Sequence, residues 1–98
     1  MENFSDLLCS HTPVIVDIFA EWCAPCNTMS AVLKKVKEIQ GDALRIIKVD
    51  IDKNPQLARH YTVSTVPTLM IFKNGKQLWR QSGVINVREL NKIIELFK

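Results

Sequence analysis

The chain has no long apolar run, no large surplus of one charge and no even set of cysteines, and each absence removes a class of protein. Its most apolar stretch, Val14 to Ala20, is interrupted by Asp17 and is far too short to span a bilayer. The formal net charge is only +3. The lysines are scattered, with Lys34, Lys35 and Lys37 on one segment and Lys73 and Lys76 around a turn. Without a basic stripe or interleaved aromatics, nucleic-acid binding is not expected. Three cysteines make an odd number, which argues against a disulfide-stapled secreted domain. The start, Met1-Glu2-Asn3-Phe4-Ser5-Asp6, is acidic and lacks the basic-then-apolar layout of a signal peptide. A reducing cytoplasm is therefore the expected compartment. Repeats, linkers and low-complexity segments are also missing. What is left is ordinary globular composition, 47% hydrophobic and 23% charged, in one domain covering residues 1–98.

Periodicity divides this domain into elements. Asn3 to Leu8 reads as a short first helix. Pro13 then opens Val14-Ile15-Val16-Asp17-Ile18-Phe19-Ala20, apolar on both faces apart from Asp17, which suits a central strand covered on both sides. From Pro25 the period changes: Met29, Val32, Leu33, Val36 and Ile39 fall at helical spacing, and Gly41 supplies a stop. Leu44 to Ile51 reads as a second strand, and Asn54-Pro55 as N-cap and first turn of a helix reaching about Tyr61. Thr68 to Phe72 and Gln77 to Gln81 flank Asn74-Gly75, a strong hairpin signal. Asn86 with Glu89 resembles a capping box, and Val87, Leu90, Ile93, Ile94 and Phe97 make the apolar face of a last helix. The order αβαβαββα predicts an α/β domain with a parallel crossover followed by an antiparallel hairpin on the same mixed sheet.

Chemistry concentrates in Trp22-Cys23-Ala24-Pro25-Cys26. Two thiols at this spacing can close a small disulfide and reopen it. The attacking species in thiol–disulfide exchange is the thiolate, and a free thiol near neutral pH is mostly protonated. Cys23 stands where a strand gives way to a helix, and unpaired N–H groups at a helix start favour negative charge by roughly 0.3–1 kcal/mol. Cys26 is placed to attack the mixed disulfide that Cys23 forms. The spacing thus makes Cys23 the nucleophile and Cys26 the resolving thiol.

Val16-Asp17-Ile18-Phe19-Ala20-Glu21-Trp22-Cys23 running into Ala24-Pro25-Cys26, followed by Thr65-Val66-Pro67-Thr68 and Phe72-Lys73-Asn74-Gly75, resembles the thioredoxin family from about Val14 to Phe97. The resemblance implies a thioredoxin fold acting as a protein disulfide reductase, a dithiol oxidoreductase of electron transport and cell redox homeostasis. Asp17 matches the family's buried acid, which relays a proton to or from Cys26, and Lys48 matches its charged neighbour. An acid in an apolar strand is costly unless used or paired, so a structural Asp17–Lys48 ion pair is the competing reading. Pro67 matches a cis-proline beside the disulfide, with Val66 presenting backbone to an extended client segment. Trp22, Ala24, Pro25, Val66, Pro67 and Gly83 would together form the docking surface. The implied partners are disulfide-containing client proteins and a flavoprotein thioredoxin reductase. The chain itself needs no cofactor beyond its redox-active disulfide, since NADPH and FAD enter only through that reductase, and a monomer is expected.

Some positions depart from the family pattern. Ala24 replaces the usual glycine, which adds bulk between the sulfurs and implies an altered redox potential. Ala31 replaces a helix-kinking proline and implies a straighter helix. Phe19 takes a position often held by tryptophan. The short stretch before Val14 implies four strands, lacking the usual first one. A Cys₃His zinc site from Cys9, His11, Cys23 and Cys26 is disfavoured because C-x-H is a poor ligand pair. Cys9 is expected as a buried or peripheral thiol, His11 and His60 as surface residues, and Asp50 and Asp52 as turn and cap groups. Two other functions remain open on sequence: a binding subunit whose redox activity is incidental, and an oxidase or isomerase of the same fold.

Overall fold

A computed structural model describes residues 3–98 of the chain. The elements follow the expected order: α1 (Phe4–Leu7), β1 (Val14–Phe19), α2 (Ala24–Gln40), β2 (Arg45–Asp50), α3 (Pro55–His60), β3 (Thr68–Lys73), β4 (Lys76–Ser82) and α4 (Val87–Leu96). A 3-10 turn over Gly41–Ala43, which the sequence pattern did not suggest, joins α2 to β2. The four strands form one sheet in the order β2-β1-β3-β4. β1 pairs parallel with β2 and antiparallel with β3, while β3 pairs antiparallel with β4. This is the mixed sheet expected from the element order, with the four strands that the short stretch before Val14 implied in place of the family's usual five.

Strand β1 lies inside the sheet with both faces covered, which explains its composition. Ile15 turns toward α2 and α4, packing with Met29, Leu33, Val36, Leu90 and Ile94. Val14, Val16 and Ile18 turn the other way, toward Leu8, Ala58, Val63 and Phe72 beneath α1 and α3. Removing each such side chain from water contributes about 1.5–3 kcal/mol, so β1 anchors both cores.

Local signals place the ends. Asn74 and Gly75 both have positive φ (53° and 81°), the backbone that a two-residue hairpin turn requires. The Lys37 ammonium takes the carbonyls of Gly41 and Leu44, closing the C-terminus of α2. Helix α2 runs unbroken through Ala31, in keeping with the missing proline.

Three local expectations need correction. Ile39, at core spacing, is exposed: in the last turn of α2 it is Gln40 that meets α4, through hydrogen bonds to Asn91 and Glu95. Asn54 occupies the N-cap of α3 but its side chain donates to the Asp50 carbonyl instead of accepting from the helix. The reciprocal capping box forms at Asn3 and Asp6. At α4 only one half is present: Asn86 Oδ1 accepts from the Glu89 N–H at 2.8 Å.

Candidate active site

The end of β1 delivers the dithiol. A tight turn, closed by the Cys23 N–H on the Ala20 carbonyl at 3.2 Å, reverses the chain into α2. Cys23 is the N-cap residue, in extended backbone, and Pro25 sits in the first helical turn where its missing N–H costs nothing. The Cys26 N–H points at Cys23 Sγ at 3.2 Å. That contact aims an otherwise orphan donor of the helix start at the sulfur expected to attack. The two cysteines are joined as a disulfide, with Cα atoms 5.3 Å apart. Both are buried, packed with Ala20 and touched by Phe19, Ile51 and Val66.

Around this buried pair the surface is open. Trp22 is 72% exposed, so it is not a core aromatic. Its indole N–H donates to Asp52 Oδ2 at 2.8 Å. Asp52 is in turn held by its own N–H on Asp50 Oδ1 at 2.9 Å. Asp50 also accepts from the Lys53 N–H, so it serves the turn role expected of it. Asp52 does more than that reading allowed, since it fixes the exposed indole. Nothing in the local pattern around Asp52 points to Trp22, which lies 30 residues away in sequence.

Asp17 lies on the face of β1 covered by α2, two residues beyond Ile15 toward the thiols. Only 1% of it is exposed, and among the described residues neither carboxylate oxygen has a hydrogen-bond donor. Burial pushes its carboxyl up from 3.8 to about 6, partly offset by the positive charge of Lys48. The expected direct pair between Asp17 and Lys48 does not form. Although the two residues are register partners on β1 and β2, the Lys48 ammonium donates to Ser30 Oγ at 2.8 Å and lies 5.0 Å from the Phe19 ring centroid. Exposed on an outer strand, the lysine keeps its hydration and acts on Asp17 only through space.

The other wall of the site is the segment before β3. The Val66–Pro67 peptide is cis. Val66 is half-buried against the cysteine cluster, Pro67 is buried and Gly83 lies beside them, its N–H donating to the Pro67 carbonyl at 2.9 Å. Thr68 Oγ1 bonds the Thr65 carbonyl at 2.6 Å and meets Ser82 Oγ at 3.0 Å. The expected docking residues Trp22, Ala24, Pro25, Val66, Pro67 and Gly83 therefore fall into two groups flanking the disulfide. Cys9 is exposed, its thiol directed at the Ser5 carbonyl beside Gly75. Among the described residues no three His, Cys, Asp or Glu side chains gather as metal ligands.

The thioredoxin family model matches residues 1–96. The chain belongs to the thioredoxin family. It is 42% identical over 93 residues to a thioredoxin of Chlamydia trachomatis, covering 95% of this chain and 89% of that protein. Against thioredoxin Y of rice chloroplasts it is 39% identical over 94 residues, 95% of this chain. It spans only 56% of that relative's length. A thioredoxin structure from Halobacterium salinarum superimposes with a TM-score of 0.86 at 31% identity, covering 95% of this chain and 80% of the other. The thioredoxin fold and the family's activity follow: the protein is a thiol–disulfide oxidoreductase, a protein disulfide reductase whose redox group is a disulfide. Among the described residues no helix is long and apolar enough to cross a membrane.

Proposed function

We propose that Cys23 is the attacking thiol, Cys26 the resolving thiol and Asp17 the proton acceptor in the reduction of client protein disulfides. The observation that carries this reading is the Cys26 N–H aimed at Cys23 Sγ from the first turn of α2. In the reduced protein the Cys23 thiolate attacks one sulfur of a client disulfide. A Cys23–client disulfide forms, the client's own S–S bond breaks, and the first client sulfur leaves as a thiolate that takes a proton from solvent. Cys26 then loses its proton to the Asp17 carboxylate and attacks Cys23 Sγ. The Cys23–Cys26 bond forms, the second client sulfur leaves, and two electrons have passed to the client. Asp17 suits this role because a buried carboxylate with no donor satisfying it holds a proton more readily than an exposed one.

Trp22, Ala24 and Pro25 on one side and Val66, Pro67 and Gly83 on the other form the client-docking surface in this reading, with the Val66 backbone pairing to an extended segment. Lys48 is a partner of Asp17 through its field alone. A thioredoxin reductase carrying FAD and using NADPH returns the dithiol, and the protein works as a cytoplasmic monomer. Fractionation of the source cell tests the location: recovery with cytosolic markers supports it, and recovery with an organelle, as the name of the chloroplastic relative has it, overturns it.

The test is insulin reduction with NADPH and a thioredoxin reductase. Turnover is expected with the wild type, and a wild-type protein that leaves insulin oxidised would sink the reductase role. Cys26→Ser should trap clients as mixed disulfides on Cys23. Failure to trap them, with Cys23→Ser trapping instead, would reverse the two cysteine roles.

A further inference from the structure

Strand β4 supplies no residue to the dithiol, yet it grips both ends of the segment that faces it. At the far end the grip is Gly83, just past β4, on the Pro67 carbonyl, and Ser82 on Thr68. At the near end it is Arg80. The Arg80 guanidinium donates through one nitrogen to the Tyr61 carbonyl and through another to the Thr62 carbonyl, the latter at 2.7 Å. Those carbonyls lie just past the C-terminus of α3, Tyr61 being its C-cap, close to the negative end of the helix dipole. Arg80 is the register partner of Met70, so it projects from the sheet face that α3 covers.

The clamped point is strained. α3 ends with the Thr62 N–H on the Arg59 carbonyl at 3.1 Å and the Val63 N–H on the Ala58 carbonyl at 2.8 Å. Ala58 and Val63 are buried in the same cluster, completing a Schellman-type stop. Glycine is usual at the left-handed position of this motif. Here it is Thr62, with φ of 56°, a β-branched residue in a conformation that disfavours one. Ser64 and Thr65 beyond it are exposed, and the next half-buried residue is Val66, packed on the cysteine cluster. A change of backbone at Thr62 would swing this short segment against the thiols.

We propose that Arg80 is a positioning residue for client binding: its two-carbonyl clamp holds Thr62 in its left-handed conformation and so keeps the Val66 backbone set for an incoming client strand. This role rests on the reading of Val66 and Pro67 as the client-docking backbone. The planar fork suits two carbonyls from adjacent residues, whereas a lysine ammonium would hold them as a point charge.

Single-turnover oxidation of the pre-reduced protein by insulin, beside oxidation by the small aromatic disulfide DTNB, tests the role without needing a reductase. Arg80→Met should raise the half-saturating insulin concentration about three- to tenfold, the range expected for losing one preorganised segment. The limiting rate and the DTNB rate should stay within about twofold of wild type, because the attacking thiol is untouched. Arg80→Lys should fall between the two. Adding Thr62→Gly to Arg80→Met should recover much of the loss, since glycine holds the left-handed conformation unaided. If Arg80→Met folds poorly, Arg80→Lys and the double variant carry the same comparison. An unchanged insulin dependence, or equal losses on insulin and DTNB, overturns the role. A wild type inactive on both disulfides overturns the reductase reading, and this role with it; an active wild type indifferent to Arg80 overturns this role alone.

Discussion

The two walls of the active site are built on opposite principles. The wall that carries the thiols is local in its backbone: turn, N-cap, proline and first helical turn all lie between Ala20 and Cys26, and the bonds that shape that backbone stay within the segment. Only the Trp22 indole is held from outside, by Asp52. The facing wall, from Thr62 to Pro67, is assembled at a distance, by Arg80, Ser82 and Gly83 acting across the sheet. They also differ in what is left over. Behind the thiols, Asp17 is buried with neither oxygen bonded, while the Tyr61, Thr62, Thr65 and Pro67 carbonyls of the facing wall all have donors. A buried polar group without a partner is costly, which fits a group kept for chemistry, whereas these paired carbonyls fit a wall held in shape around the Val66 backbone.

Removing the sulfur at the centre should have the largest effect and fall wholly on the reactive wall. Cys23→Ser is expected to reduce insulin turnover to background while the fold, followed by circular dichroism, persists. Cys23 makes few contacts that serine would not, apart from the disulfide, so residual turnover above background would move the attack to Cys26.

Asp17→Asn should come next, and it separates stability from function. Burial raises the carboxyl from 3.8 to about 6, so the folded protein binds this proton more tightly than the unfolded chain. Stability from this site is therefore greatest below pH 3.8, declines as pH rises through the window up to about 6, and stays low above it. The variant, uncharged at every pH, should be more stable than wild type at neutral pH by about 2–3 kcal/mol, and the advantage should shrink toward pH 4. Its resolving step should slow and lose the wild-type rise in rate through pH 6. Denaturant titrations at several pH values, with stopped-flow measurement of mixed-disulfide decay, read the two effects separately. Equal stability of the two proteins at neutral pH would show that Asp17 finds a partner after all.

The sequence told these walls apart in its own way. The thiol wall was legible because its signals are adjacent: an apolar β-branched run, a C-x-x-C, and a proline where the period turns helical. The strand directions were legible for a similar reason, since a helical crossover between two apolar strands and an Asn74-Gly75 hairpin predict the parallel β1–β2 and antiparallel β3–β4 pairs. What escaped were the long-range polar bonds. Asp52 beside Trp22, and Arg80 over the end of α3, join residues 30 and 18 positions apart and leave no periodic trace. Lys48 shows the converse, because an isolated charge in an apolar strand suggested an ion pair with Asp17, and the structure makes them register neighbours yet turns the ammonium to Ser30.

Asp52→Ala probes the point where the two sides of the surface differ most in exposure. It deletes the acceptor that holds the Trp22 indole at 2.8 Å but leaves the thiols untouched. The bond is exposed, so its loss should cost about 0.5–1.5 kcal/mol, appearing as weaker insulin binding with little change in the limiting rate. Trp22 fluorescence should report a freer ring. A variant with wild-type insulin dependence and unchanged fluorescence would make the indole's packing, not Asp52, the anchor.

Thr62→Gly alone should have the smallest effect, and it sharpens the comparison because it acts only on the distant wall. Releasing a β-branched residue from φ of 56° recovers strain of roughly 1–2 kcal/mol, while glycine's freedom in the unfolded chain takes back roughly 0.4–1 kcal/mol. The net expectation is a stabilisation of about 0.5–1 kcal/mol, seen as a raised denaturant midpoint at constant slope. With Arg80 still clamping the Tyr61 and Thr62 carbonyls, insulin dependence should not move. A destabilised variant would mean that the threonine side chain contributes more at this turn than its backbone strain costs, and the distant wall would then owe part of its shape to a local signal after all.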